Sequence, residues 1–457
     1  MHNIDTILKK QREYFLSGET FDVNFRIRML KKLYEAIVVR EDKIRQALFL
    51  DLNKPSLETY MCEIGIVYGE IKYMLKNIRK FASKKYRKTP TTQFGSKSYT
   101  QNCPYGNVLI VAPWNYPIML TLDPLVHAIA TGNTAIVKPS AYSEHSCKII
   151  SELISETFDE KYIACITGGR EQNVQLFDKK FDFVFFTGSN TVGREIAKKC
   201  AERLTPILLE LGGKSPCVVD AEANIEKTAK RIVFGKFINS GQTCVAPDYV
   251  LCDNSKKDAF IKAIIAEIKK QYGEDPLKDE TYVKIINRKH FDRVQALIDN
   301  NKVVYGGKSD ETTLKIEPTV MDGVSFDDAV MQEEIFGPIL PIIGVDNIEE
   351  AIDIIRSKPH PLALYVFTEN EKTANYVTEQ IQFGGGCIND TVIQLATSEM
   401  GFGGVGDSGM GAYHGKAGFE AFSHKKSIIN NYVKFDLPAR FRPYSEKKEN
   451  FIRKVLK

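Results

Sequence analysis

Cys244 closes the run Asn239-Ser-Gly-Gln-Thr-Cys244, whose small and polar members Ser240, Gly241, Gln242 and Thr243 leave room for a substrate and expose backbone donors. A thiolate in such surroundings is a strong nucleophile. A lone cysteine is also, commonly, a small buried hydrophobe. Glu210 ends the apolar run Ile207-Leu-Leu-Glu210, ahead of Gly212-Gly213. A carboxylate among leucines is desolvated, which raises its pKa and suits it to general-base work near neutrality; the plainer reading is a surface carboxylate at a strand end. Asn115 sits in Pro113-Trp-Asn-Tyr-Pro117. Its amide can donate to an oxyanion, and asparagine between prolines is equally a turn residue. The strand Phe181–Thr187 runs into Gly188-Ser-Asn-Thr-Val-Gly193, ahead of a helix-compatible stretch from Arg194 to Ala201. Such a turn points backbone N–H groups and a helix dipole at a ligand phosphate. It is not the G-x-G-x-x-G fingerprint, and glycine serves any strand-to-helix turn.

The elements that must position these residues follow from periodicity. From Ile4 to Ala82 apolar residues (Leu30, Leu33, Ile37, Ile44, Leu48, Ile64, Ile71, Leu75) recur at helical steps among charges. Ser83–Cys103 is polar and reads as an exposed strand pair or linker. Strands at Val108–Ala112, Thr134–Val137 and Phe181–Phe186 then alternate with helices at Leu120–Ala130 and Glu144–Thr157. A second series follows: Ile207–Leu209, Pro216–Val219, a helix over Ile225–Asn239, Tyr249–Cys252, and a helix over Lys256–Tyr272. Short continuous apolar strands separated by helices imply sheets covered on both faces, so two α/β units in tandem are expected.

Composition agrees and excludes other classes. A chain of 457 residues exceeds one ordinary core, and 43% hydrophobic with 26% charged residues is an ordinary globular balance. The net charge of +4 is too small for a nucleic-acid surface. The basic stretch Lys425–Lys457 reads as a solvated terminus. Nine cysteines lack C-x-x-C pairs and a histidine cluster, which argues against disulfides and a metal site and for a reducing, cytoplasmic compartment. No secretory signal and no membrane span is expected.

Seven motifs, in order over nearly the whole chain, resemble the aldehyde dehydrogenase superfamily: Pro113-Trp-Asn-Tyr-Pro117, Lys138-Pro-Ser140, Phe186-Thr-Gly-Ser189, Leu209-Glu-Leu-Gly-Gly-Lys214, Gly241-Gln-Thr-Cys244, Glu333-Glu-Ile-Phe-Gly-Pro338 and Phe402-Gly-Gly-Val405. Asn239–Tyr249 and Gly409-Met-Gly-Ala-Tyr-His-Gly415 look closest to the class 3-like branch of fatty and aromatic aldehyde dehydrogenases. The resemblance implies an α/β fold of two Rossmann-like parallel-sheet domains, cofactor and catalytic, plus a small β oligomerisation arm. Residues 1–82 and 106–211 would bind NAD or NADP, 212–399 would be catalytic, and 83–105 with 400–457 would bridge subunits of a homodimer. It further implies oxidation of an aldehyde to the acid: a thioester on Cys244, an oxyanion held by Asn115 and the Cys244 N–H, and hydrolysis with Glu210 as base. Cofactor contacts would fall on Trp114, Lys138, Ser140, Gly188, Ser189, Asn190, Thr191, Val192, Gly193, Glu334 and Phe336.

The chain departs from the family pattern twice. Ala141 stands where many members have a glutamate that repels a 2′-phosphate, so NADP is expected to be tolerated beside NAD. Met400-Gly401 replaces a common proline before Phe402, near the expected substrate entrance. Tyr60, Tyr68, Trp114 and Phe402 are candidates for an apolar tunnel suited to medium or long aliphatic and aromatic aldehydes, or for core. The rivals are an acylating dehydrogenase that passes the thioester to coenzyme A or phosphate, and a non-catalytic ligand-binding relative; the Cys244, Glu210 and Asn115 set speaks against both.

Overall fold

The computed structural model describes residues 3–90, 93, 95–433 and 436–456. The stretch from Ile4 to Ala82 is helical, as the periodicity requires. The 30-residue helix Val23–Leu52 starts at Asp22, whose carboxylate accepts from the Asn24 and Phe25 N–H groups, and buries Leu30, Leu33, Ile37, Ile44 and Leu48 along one stripe. It packs on helix Glu144–Thr157, while helix Gly65–Ala82 packs on Met119–Thr131.

Two sheets follow. The first has six strands in the spatial order Gly409–Met410, Ile207–Leu211, Phe183–Gly188, Asn107–Val111, Thr134–Lys138, Ile163–Cys165. All but Gly409–Met410 run parallel. Val108 and Ile110 enter one core while Leu109 and Val111 enter another, so both faces are covered. The chain starts at Asn107–Val111, builds outward to Ile163–Cys165, then returns to Phe183–Gly188 on the other side. Between those two strands lies a topological switch point, where open α/β sheets leave a crevice at their carboxyl ends. The second sheet has seven strands: Val303–Tyr305, Thr319–Met321, Ile339–Val345, Tyr249–Asp253, Pro216–Val219, Ala363–Phe367 and Gly385–Ile388. It too is covered on both faces, with Val250 and Leu251 in different cores. The fold is therefore the expected α/β class with two parallel-sheet units.

A third, antiparallel sheet joins Lys85–Arg87 and Lys97–Pro104 to Ser423–Asn430, in a register from Ser423 opposite Pro104 to Asn430 opposite Lys97. This corrects the reading of Lys425–Lys457 as a loose terminus: its first residues are held by a full strand ladder, a non-local pairing that composition does not reveal. The segment 400–457 is also not one unit. Gly409–Met410 pairs with Leu209 and Glu210, helix Gly415–Ala421 packs on the helical layer, and only Ser423–Asn430 joins the arm. The helix expected over Ile225–Asn239 stops at Phe237, because Asn239 and Ser240 adopt left-handed backbone (φ 53° and 52°).

Candidate active site

A cleft of about 690 Å³, well within the range of small-molecule sites, opens at the carboxyl ends of the first sheet and faces the second. Pro113–Asn115 follow the central strand, Thr187–Thr191 span the end of its neighbour across the switch point and the turn beyond it, and Glu210 is the last residue but one of the next strand; all line the cleft with Cys244.

Cys244 is lifted into the cleft by an abrupt turn. Asn239, Ser240 and Gly241 take φ values of 53°, 52° and 71° in succession. At Gly241 a Cβ would stand 2.3 Å from the Gly337 carbonyl oxygen, so only glycine fits. Two left-handed non-glycine residues are costly, and polar contacts hold them. The Glu58 carboxylate accepts from the Asn239 N–H at 2.7 Å, Ser240 Oγ donates to the Val283 carbonyl at 2.5 Å, and Gln242 Nε2 donates to the Asn239 and Lys284 carbonyls at 3.0 and 3.1 Å. The thiol lies half-buried at the cleft floor. Desolvation, then the Glu334 and Glu210 carboxyls, push its pKa up; the N–H groups of Cys244 and Val245 oppose this weakly.

Both carboxyls beside it are perturbed. Glu210 is buried, neither oxygen has a hydrogen-bond partner, and desolvation alone raises its pKa well above the usual range. Glu334 is pushed up to about 8 by desolvation and then by Asp248. Its loop is pinned from behind. Asp248 accepts from the Ile335 N–H at 2.9 Å and pairs with Lys214, whose Nζ donates to the Val330 and Glu333 carbonyls.

Asn115 is buried. Its Nδ2 donates one N–H to the Gln242 carbonyl at 3.0 Å, leaving the second unengaged, and its backbone carbonyl accepts from Lys54 Nζ (3.1 Å) and Asn239 Nδ2 (3.0 Å). Lys54 in turn forms a fully buried ion pair with Glu63 at 2.6 Å, and Glu63 Oε2 accepts from the Ile118 N–H at 2.8 Å and more weakly from Met119. The helical layer thus reaches under the site and fixes both Asn115 and Asn239. Sequence reading missed Lys54, Glu58 and Glu63, since nothing in their spacing separates them from solvated helix charges.

Of the residues expected to hold a cofactor, Trp114, Gly188, Ser189, Asn190, Thr191, Glu334 and Phe336 line the cleft. Trp114 packs against Phe336 and His290, with ring centroids 5.4 and 5.0 Å apart, and Phe336 is held at φ 47°. Helix Asn190–Glu202 begins at Ser189 with no side-chain cap, so its first N–H groups are open to a phosphate. The neighbouring helix Glu144–Thr157 differs: Asp51 already takes its His145 and Ser146 N–H groups. An uncapped helix of 13 residues at the switch point, flanked by an aromatic pair, fits a dinucleotide.

The other four do not line the cleft. Lys138 is buried at the end of the adjacent strand, donating to the Gly168 and Pro139 carbonyls at 2.7 and 2.9 Å. Ser140 accepts from the Tyr142 N–H at 3.2 Å, and Val192 faces outward on the helix. Gly193 packs on Leu211, whose Cδ2 would lie 2.6 Å from a Cβ there, so the close helix–strand approach requires glycine.

Tyr60 and Tyr68 lie away from the cleft, Tyr60 exposed and Tyr68 buried with its hydroxyl donating to Glu41. Trp114 and Phe402 do line it, joined by Leu120, Tyr413 and His290, which sequence reading had not selected.

A profile of the aldehyde dehydrogenase family matches residues 2–428. The 4,4'-diaponeurosporen-aldehyde dehydrogenase of Staphylococcus aureus is 45% identical over 98% of this chain and 98% of its own. Aldehyde dehydrogenase family 3 member A2 of Rattus norvegicus is 41% identical over 96% and 92%. A solved structure described as the substrate-bound state of Staphylococcus aureus AldH superposes with a TM-score of 0.98 at 44% identity, covering both chains fully.

Proposed function

The chain belongs to the aldehyde dehydrogenase family and is an NAD- or NADP-dependent oxidoreductase acting on aldehydes, and from that premise we propose how its own residues carry the oxidation to the acid. The carrying observation is the convergence of Cys244, Glu210 and Asn115 on one cleft floor. The Cys244 thiol gives its proton to solvent water in the cleft, and the resulting thiolate attacks the aldehyde carbon, whose C=O electron pair moves to oxygen. The free N–H of Asn115 Nδ2 and the Cys244 N–H hold the resulting oxyanion, where each donor is worth roughly 10²–10³ in rate. The chemistry supplied by a bound nicotinamide is uptake of the hydride that this adduct releases. A thioester on Cys244 results. Glu210, ionised, takes a proton from water; the water oxygen adds to the thioester carbon, the C–S bond breaks, and acid leaves. Trp114, Phe336, Glu334 and the turn Gly188–Thr191 hold the cofactor, with Lys138 and Ser140 at the rim of the same sheet edge; Val192 and Gly193 support that turn.

The substrate we assign is a medium or long aliphatic or aromatic aldehyde, supported by the apolar wall of Leu120, Phe402 and Tyr413. A relative named for 4,4'-diaponeurosporen-aldehyde is 45% identical. We also propose a cofactor unit of residues 1–82 and 106–211, a catalytic unit of 212–399, and a homodimer built through the arm. No helix among the described residues is long and apolar enough to cross a membrane. The nine unpaired thiols support a cytoplasmic site of action.

Product analysis tests the reaction. Acid should form from aldehyde and cofactor with no coenzyme A or phosphate present. Turnover that requires such an acceptor would assign the chain to the acylating type instead.

A further inference from the structure

The turn that carries Cys244 is closed by a single peptide unit. The Ala246 N–H donates to the Thr243 carbonyl at 3.0 Å, which makes Cys244 and Val245 the two central residues of a tight turn. The other side of that peptide, the Val245 carbonyl, accepts from the Tyr365 hydroxyl at 2.6 Å. Tyr365 and Val245 are both 0% exposed. Among the described residues no other group donates to this carbonyl.

Tyr365 lies in strand Ala363–Phe367 of the second sheet and does not line the cleft. Its hydroxyl is directed in turn. Gln394 Nε2 donates to it at 3.1 Å, and Gln394 Oε1 accepts from the Cys387 thiol at 3.0 Å. Cys387 stands opposite Tyr365 on the neighbouring strand, and Gln394 belongs to the short turn Ile393–Leu395. With Gln394 donating to the phenol oxygen, the phenol's own proton points at Val245. The donors therefore run one way, from Cys387 to Gln394 to Tyr365 to the Val245 carbonyl. Burial raises the pKa of the phenol, so it stays a donor throughout the working range.

A buried tyrosine ordinarily finds some partner for its hydroxyl. Here the partner is the residue next to the nucleophile, and the bond is half of what closes its turn. The N–H groups of Cys244 and Val245 both face the Cys244 sulfur, and their direction is set by the backbone angles of this turn. Without the phenol proton the Val245 carbonyl would be buried and unpaired, a costly state that the turn can relieve by rotating.

We propose that Tyr365 is a positioning residue for the nucleophile: by holding the Val245 carbonyl it keeps the Cys244 sulfur and the Cys244 N–H aimed at the carbon and oxygen of one aldehyde, while Gln394 holds Tyr365 in its donating orientation. The inference rests on the reading of Cys244 as the nucleophile. No proton passes along the chain of donors; each group keeps its own.

Tyr365→Phe removes the hydroxyl and leaves the ring in place. The full chain, in excess over decanal and with NAD present, is followed through a single turnover by the absorbance of reduced cofactor. The saturated rate should fall by about 10–10²-fold, the scale expected for a small misplacement of reacting groups. The enzyme concentration giving half that rate should stay as in wild type. Alkylation of Cys244 by iodoacetamide, read from the mass of its peptide, should slow at neutral pH, and its pH midpoint should move upward as the two N–H groups lose their aim. A tyrosine that only supports the fold would lower the thermal midpoint and leave the single-turnover rate and the alkylation profile at wild-type values; that result would overturn the proposal. Should Tyr365→Phe fail to fold, Gln394→Leu, which keeps the phenol and removes what orients it, decides on the same two readouts: a slower turnover with a displaced profile supports the proposal, and wild-type values overturn it. Cys244→Ser run alongside separates the two readings. Were Cys244 not the nucleophile, that variant would reduce cofactor at the wild-type rate; failure of the present proposal alone leaves Cys244→Ser silent and Tyr365→Phe as fast as wild type.

Discussion

Glu210 is a carboxyl with nothing to hold its charge: buried, unpartnered and shifted upward by desolvation. Its proton must leave before it can activate water, so the hydrolytic step should speed up as pH rises through the neutral range into the alkaline; a flat profile for thioester hydrolysis would contradict its role. Glu210→Gln should keep the first-turnover burst of reduced cofactor and slow steady turnover by about 10²–10⁴-fold, the usual worth of a general base. Loss of the burst itself would move Glu210 to the acylation step. Stability follows with a definite sign. The folded chain binds this proton more tightly than the unfolded one, so wild-type stability falls as pH rises above the ordinary carboxylate range. The thermal midpoint of Glu210→Gln should therefore gain on wild type as pH increases. Asn115→Ala should cost roughly 10²–10³ in kcat/KM. At this scale the sequence was informative, because Cys244, Glu210 and Asn115 stand in short motifs with small or apolar neighbours. It was uninformative for Lys54, Glu58 and Glu63, whose burial depends on the Asn53–Ile64 segment folding beneath the remote turns that carry Asn115 and Asn239.

At the scale of elements, the cysteine turn and the two helix starts matter most. Gly241→Ala would put a methyl against the Gly337 carbonyl and force an L-residue to φ 71°. The backbone penalty alone is ~1–2 kcal/mol, so chemical denaturation should show at least that loss, with activity falling as Cys244 shifts. Unchanged stability would mean the turn has another conformation in solution. At the other edge, Ala141 is exposed beyond Lys138, with no carboxylate in its place. NADP should therefore support turnover beside NAD, and Ala141→Glu should lower kcat/KM for NADP selectively; no turnover of the wild type with NADP would refute this. The parallel strands around Val108, Thr134 and Phe183 were legible as apolar runs. Ile163–Cys165 and Thr319–Met321, three residues each, carry no periodic signal, and the end of helix Ile225–Phe237 was overestimated because a left-handed turn leaves no mark in hydrophobicity.

For the whole molecule, the two α/β units and the polar arm were readable from alternation and composition, whereas the closure of the arm by Ser423–Asn430 was not, being a pairing across more than three hundred residues. That strand sits at the edge of its sheet, with Ile429 exposed. An open edge invites a partner strand, and light scattering on the eluting protein should give twice the chain mass; a monomer at micromolar concentration would contradict the homodimer.

The central claim is that Cys244 carries the substrate, and one comparison tests it most directly. Wild type and Cys244→Ser are each given short, long and aromatic aldehydes with NAD and with NADP, and reduced cofactor is followed by its near-ultraviolet absorbance. Wild type should reduce the cofactor, fastest with the longer or aromatic aldehydes, and the folded variant should not. Undiminished reduction by Cys244→Ser, or silence from folded wild type across the panel, would contradict it.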